Sequence, residues 1–117
     1  MMKKFLVIYH VPFDEARMRE MMSRPPEEMA KGMEMWKNWA KKCGSHLVDL
    51  GAPLTGGQEI FVDGSVKPST KNVSGYSILQ AENKEEAMSL MQGHPHLGPW
   101  DPKATIEVHE TMVIPGM

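Results

Sequence analysis

The run Phe5-Leu6-Val7-Ile8-Tyr9 restricts the fold more than any other feature, because it is apolar at every position rather than at every second one. Successive side chains of a strand point to opposite faces, so Phe5, Val7 and Tyr9 share one face while Leu6, Ile8 and His10 share the other. Both faces of the sheet that holds this strand therefore need a cover. Helices can supply one of them, and a second copy of the chain is the economical source of the other.

The clearest helix runs from Pro26 to the residue before Gly44. Pro26 suits a first-turn position, Glu27 and Glu28 favour the positive end of the helix dipole, and Gly44 closes the far end after Lys41 and Lys42. Within it Met29, Met33, Trp36, Ala40 and Cys43 recur at steps of four and three and form an apolar stripe, which Met35 and Trp39 widen. A shorter helix, capped by Asp14 and ending near Met22, precedes it. Asn83, with Glu86 three residues later, marks the start of a further helix whose inner face carries Ala87, Leu90 and Met91 and which ends at Gly93.

The remaining periodic segments read as strands: His46 to Leu50, Val73 to Ala81, and an alternating run from Thr105 to Val113. Glu59 to Lys67 reads as an inserted hairpin, with Asp63-Gly64 as a two-residue turn of positive φ. Without the short helix and the hairpin, the order is strand, helix, strand, strand, helix, strand. That is the ferredoxin-like βαββαβ arrangement of an α+β protein, and right-handed crossovers put both main helices on one face. At 117 residues the chain is expected to form a single domain. Pairing of the helix-free face with that of a second subunit would give a dimeric α/β barrel, so a homodimer is the expected state.

Composition excludes several functions. A net charge of −2, with Lys and Glu interspersed, lacks the dense basic field that a nucleic-acid groove needs. The pairs Lys3-Lys4, Lys41-Lys42 and Lys67/Lys71 read as solvated faces. No apolar run approaches the roughly 20 residues of a membrane-spanning helix, and the apolar stretch after Lys3-Lys4 is too short for a signal peptide. With Cys43 as the lone cysteine, no internal disulfide can form, and a cytoplasmic location is expected. Cys43 lies near a helix C-terminus, where the dipole disfavours a thiolate. No Gly-rich phosphate loop precedes a helix, so no nucleotide or other cofactor is implied.

The chemistry-bearing residues that remain are mainly histidines. His94 and His96 flank Pro95 in a loop that continues through Trp100 and Asp101, and two imidazoles one residue apart can divide acid and base roles. A metal would need further ligands that the spacing does not identify, so no metal site is assigned. His10 ends the first strand, near a cleft at the sheet edge. His46 and Asp49 are three apart on a strand and point to opposite faces, although Asp49 can orient a histidine from elsewhere. His109 has no evident partner. Trp36, Tyr76, Asp49 and Trp100 are candidate walls of a ligand pocket. The six methionines from Met18 to Met35 suit either an ordinary core or an adaptable lining.

In this order the motifs resemble the YciI-like (YCII-related) family of the dimeric α/β-barrel superfamily. The likeness covers most of the chain: Phe5 to Tyr9, Pro26-Glu27-Glu28-Met29, Val62-Asp63-Gly64, Gly75-Tyr76-Ser77-Ile78, Glu85-Glu86-Ala87, the loop Gly93-His94-Pro95-His96-Leu97, and Ile106-Glu107-Val108. The resemblance implies a ferredoxin-like protomer with a paired sheet, and relatives suggested to be small-molecule lyases or dehalogenating enzymes using a histidine and an aspartate. Two family features are missing. The helix start that bears a histidine in the bacterial proteins reads Pro26-Glu27-Glu28, and the Asp-Gly-Pro-Phe signature of another branch is replaced around Lys67-Pro68-Ser69-Thr70-Lys71.

Two functions are therefore expected to compete. One is a small-molecule, lyase-like enzyme in which His10, His94 or His96 moves a proton at a pocket walled by Trp36, Tyr76 and methionines. The other is a non-catalytic dimeric module that binds a small ligand or a partner protein.

Overall fold

The computed structural model describes residues 2–12, 15–98 and 101–117. The protein is α+β. Its elements in chain order are β1 (Lys3–His10), α1 (Glu15–Met22), α2 (Pro26–Cys43), β2 (Leu47–Pro53), β3 (Gln58–Ile60), β4 (Val66–Pro68), β5 (Val73–Ala81), α3 (Lys84–Leu90) and β6 (Thr105–Glu110). Single 3₁₀ turns at Gly44–His46 and Pro95–Leu97 precede β2 and follow α3. The main sheet is antiparallel in the order β2-β5-β1-β6, an order compatible with the ferredoxin-like arrangement, while β3 and β4 pair separately.

The register sorts the side chains. Val7 lies opposite Ser77 and Val108, and Phe5 opposite Leu79, so these residues share the face that meets the helices. Phe5, Val7, Tyr9, Leu79 and Ala81 are buried there with Trp39 and Cys43 of α2 and Ala87 of α3. Both main helices thus cover one face, as the crossover rule requires. On the other face Leu6 is 37% exposed, beside Ile8, Tyr76 and Ile78. The molecule is only 20 Å thick against 47 and 44 Å in its other dimensions, which fits one sheet plus one layer of helices.

Helix ends follow their local signals. Asn83 Oδ1 accepts the Glu86 amide at 2.8 Å, and the Glu86 carboxylate reaches back to the Glu82 amide at 3.1 Å, so the α3 start satisfies two otherwise orphaned donors. Gly44 closes α2 with a φ of 55°. The expected cap at Asp14 falls outside the described residues.

Several expectations are corrected. The hairpin turn is not a two-residue turn with two positive φ angles. Gly64 alone is left-handed, at 87°, with its amide donating to the Phe61 carbonyl and the Phe61 amide donating to Ser65. This is a three-residue loop, in which only the last residue needs the left-handed region. His46 belongs to the turn before β2 rather than to the strand, which instead extends to Pro53. The last strand stops at Glu110, three residues short of Val113. The α2 stripe is core only in its second half: Met29, Met33 and Met35 are 59, 58 and 54% exposed, whereas Trp39 and Cys43 are buried. The helix-free face, too, is less uniformly apolar than β1 alone implies, because β6 contributes Glu107 and His109 opposite Ile8 and Leu6.

Candidate functional site

The candidate histidines do not meet at one place. Tyr9 and His10 are neighbours in β1, so their side chains leave the sheet on opposite faces. The Tyr9 side gathers His94 and His96; the His10 side gathers Glu107 and His109.

On the helix side, a short hydrogen-bonded chain runs through the core. The 3₁₀ turn at Pro95–Leu97 is capped by His94, whose Nδ1 accepts the His96 amide at 2.9 Å. Nδ1 is therefore the unprotonated nitrogen, and the single ring proton resides on Nε2. Nε2 donates to the Tyr9 hydroxyl at 3.2 Å, the Tyr9 hydroxyl donates to Ser77 Oγ at 2.7 Å, and Ser77 donates to the Leu50 carbonyl at 2.6 Å. The Leu50 carbonyl is available because β2 is bulged on either side of Asp49, where its register against β5 shifts. Gly51 makes the bulge possible with a φ of 81°, and a Cβ there would lie 1.8 Å from the Tyr76 carbonyl oxygen.

His94 is 2% exposed, with the rings of Tyr9, Trp36 and Trp39 at 5.0, 4.6 and 4.3 Å. Burial, reinforced by nearby His96, pushes its pKa down from 6.5 to about 3. Burial pushes Tyr9 up to about 12, with the Ser77 contact pulling the other way. Both groups are held neutral with every ring or hydroxyl partner satisfied. That arrangement serves as a polar staple between β1, β2, β5 and the loop after α3.

His96 is also buried, and its Nε2 donates to the backbone carbonyl of His10 at 3.0 Å. It thereby anchors the end of β1 from the helix side. Trp36 packs edge-on against Tyr9, 5.1 Å between centroids, and belongs to this cluster. Tyr76 lies on the opposite face, paired with Ile8 and Ala52. Asp49 accepts the Gly51 amide at 2.8 Å and so shapes the bulge, and no hydrogen bond or ion pair joins it to a histidine among the described residues. Trp100 falls outside the described residues. Trp36 and Tyr76 consequently lie on opposite faces of the sheet and do not wall a common pocket.

The His10 side is different. His10 Nδ1 donates to the Lys71 carbonyl at 2.8 Å, which fixes the ring, and Nε2 lies against Glu107 Oε1. That contact is not aligned as a hydrogen bond: Nε2 is the one buried side-chain nitrogen or oxygen among the described residues without a hydrogen-bond partner. The other Glu107 oxygen meets His109 Nε2 at 3.2 Å, and the imidazoles of His109 and His10 hold the Glu107 carboxyl below its ordinary pKa. An open cleft of about 310 Å³ lies here, lined by His10, Lys71, Asn72, Lys103, Thr105 and Glu107 among others. Its rim is shaped by Asn72, left-handed at φ 58°, whose carbonyl accepts the Val11 amide at 3.0 Å. Asn tolerates that region better than other residues with a side chain.

Sequence reasoning named His10 but missed Glu107, Lys71 and Lys103 as its neighbours. The available signal was the alternation of Thr105, Glu107 and His109 on one face of the last strand. No group of three or more His, Cys, Asp or Glu side chains among the described residues is placed to hold a metal ion. No helix of the described residues is long and apolar enough to cross a membrane. In comparison with known proteins, no family model and no curated protein matches the chain.

Proposed function

We propose that this chain is a YCII-related protein of the dimeric α/β-barrel type, which acts on a small molecule at the His10 cleft with His10 as acid and base. The observation that carries this reading is His10 Nε2, buried at the cleft and lacking an aligned partner while Nδ1 is locked onto the Lys71 carbonyl. A ring anchored through Nδ1 exchanges protons through Nε2. The Glu107 carboxylate beside it balances the charge that the ring gains on taking a proton. A lyase-like reaction needs these parts: Nε2 removes a proton from carbon, the electron pair left behind expels a leaving group, and the proton is returned to that group.

The motifs of the family resemblance and the half-exposed Leu6 and Ile8 beside Tyr76 and Ile78 support pairing of two sheets. Those same residues favour the second reading, a dimeric module that binds without turnover. Proton NMR of the full chain in D₂O with a panel of small oxo- and unsaturated carboxylates separates the two. A catalyst exchanges a substrate C–H for deuterium, and His10→Gln slows that exchange by about 10²-fold or more. Saturable binding without exchange across the panel would replace the enzyme by the module. Sedimentation of a lone protomer at micromolar concentration would remove the dimer.

A further inference from the structure

We propose, resting on the reading of the His10 cleft as a ligand site, that the cleft takes a small anion, bound through a carboxylate or phosphate group by Lys71 and Lys103. Both lysines line the cleft, and neither has a carboxylate partner among the described residues. The backbone beneath each is anchored. The Lys71 amide donates to Ser69 Oγ at 3.2 Å and its carbonyl accepts His10, while the Lys103 amide donates to Asp101 Oδ1 at 2.9 Å.

The lining adds the Asn72 amide and the Thr105 hydroxyl, neither of which has a side-chain hydrogen-bond partner among the described residues. Thr105 stands opposite His10 in the register of β1 and β6. Against these donors the cleft offers one carboxylate, Glu107, and both of its oxygens are already engaged by His10 and His109. The chain as a whole is acidic, at −2, so an uncompensated pair of cations in one concavity is a local arrangement rather than a property of the surface. A cleft of about 310 Å³ suits a small ligand. Glu107 opposes an anionic ligand by like charge.

The test is a titration of the full-length chain with sodium malonate and, separately, with inorganic phosphate at constant ionic strength, following the His10 ring and Asn72 amide by NMR. The expected result is saturable shifts at both positions, weakened about tenfold or more in Lys71→Gln/Lys103→Gln, where two ion pairs are lost, and strengthened severalfold in Glu107→Gln. Both sets of variants change exposed positions, so they are expected to fold as the parent does, which the dispersion of the same NMR spectra checks. Tighter malonate identifies a carboxylate ligand and tighter phosphate a phosphorylated one. The proposal is overturned if neither anion saturates, if the double lysine variant binds as the parent does, or if chloride competes equally with both. Saturable, lysine-dependent binding without substrate deuteration upholds the anion site and removes only the acid–base role of His10.

Discussion

Replacing His94 by Gln tests the buried staple through its dependence on pH. Gln can still donate to the Tyr9 hydroxyl but cannot take up a proton. In the folded chain the His94 ring resists protonation down to about pH 3, whereas in the unfolded chain it titrates near 6.5. Between those values the unfolded state binds the extra proton, so stability is complete above about pH 6.5 and declines as the pH falls. The full gap is on the order of 5 kcal/mol, comparable with the whole stability of a small domain. By pH 4.5 the parent should have lost about 2.6 kcal/mol through this ring alone.

At pH 7.5 the variant should be less stable by about 1–3 kcal/mol, from lost ring packing against Trp36 and Trp39 and the lost acceptor for the His96 amide. Urea unfolding followed by tryptophan fluorescence at intervals from pH 7.5 to 4.5 gives the difference between the two proteins at each pH. The other histidines are common to both and cancel. The parent's advantage should shrink steadily and vanish or reverse near pH 4.5. Parallel curves, with a difference constant to about 0.5 kcal/mol, would refute the claim that the fold holds this ring neutral.

The alkaline side should show the converse. Tyr9 keeps its proton to about 12 in the folded chain against about 10 when unfolded, so stability falls by roughly 3 kcal/mol through this group as the pH rises through that window, and Tyr9→Phe should remove that part of the decline, leaving the part due to the raised Cys43 thiol. Ser77→Ala leaves the Leu50 carbonyl and the Tyr9 hydroxyl without their partner and should cost about 1–3 kcal/mol in urea unfolding, with strong coupling to Tyr9→Phe in a double-mutant cycle; additive effects would refute a linked chain. Gly51→Ala puts a methyl group into the Tyr76 carbonyl and should lower stability by more than about 2 kcal/mol, where an ordinary strand substitution would change it by under about 1. Cys43 is 2% exposed with its thiol pKa raised by burial, so a thiol reagent should label it only at the rate of unfolding; prompt labelling of native protein would contradict its place in the core.

The parts of the fold that local chemistry controls were legible in the residues themselves. Pro26, Glu27-Glu28 and Gly44 bound α2 because helix ends are satisfied by groups within a turn of them, and Asn83 with Glu86 starts α3 for the same reason. The unbroken apolar run at Phe5 to Tyr9 identified a strand with two apolar faces, and the order of elements led to the sheet.

The site was legible only in part. His10 was singled out by its place at a strand end, but its neighbours come from three other segments, the loop at Lys71 and Asn72, the loop at Lys103, and β6. His94 read as a loop histidine beside prolines, and the fold buries it. The staple joins Tyr9 to Ser77 and His94 across 68 and 85 residues, and His96 reaches the His10 carbonyl across 86. Capping and periodicity act over three or four residues, so composition along the chain carries them. Burial, proton position and the choice between a structural and a chemical histidine depend on contacts that exist only once distant strands have paired. For this protein the sequence alone determined the elements and their order, while the tertiary structure decided which imidazole meets the cleft and which disappears into the core.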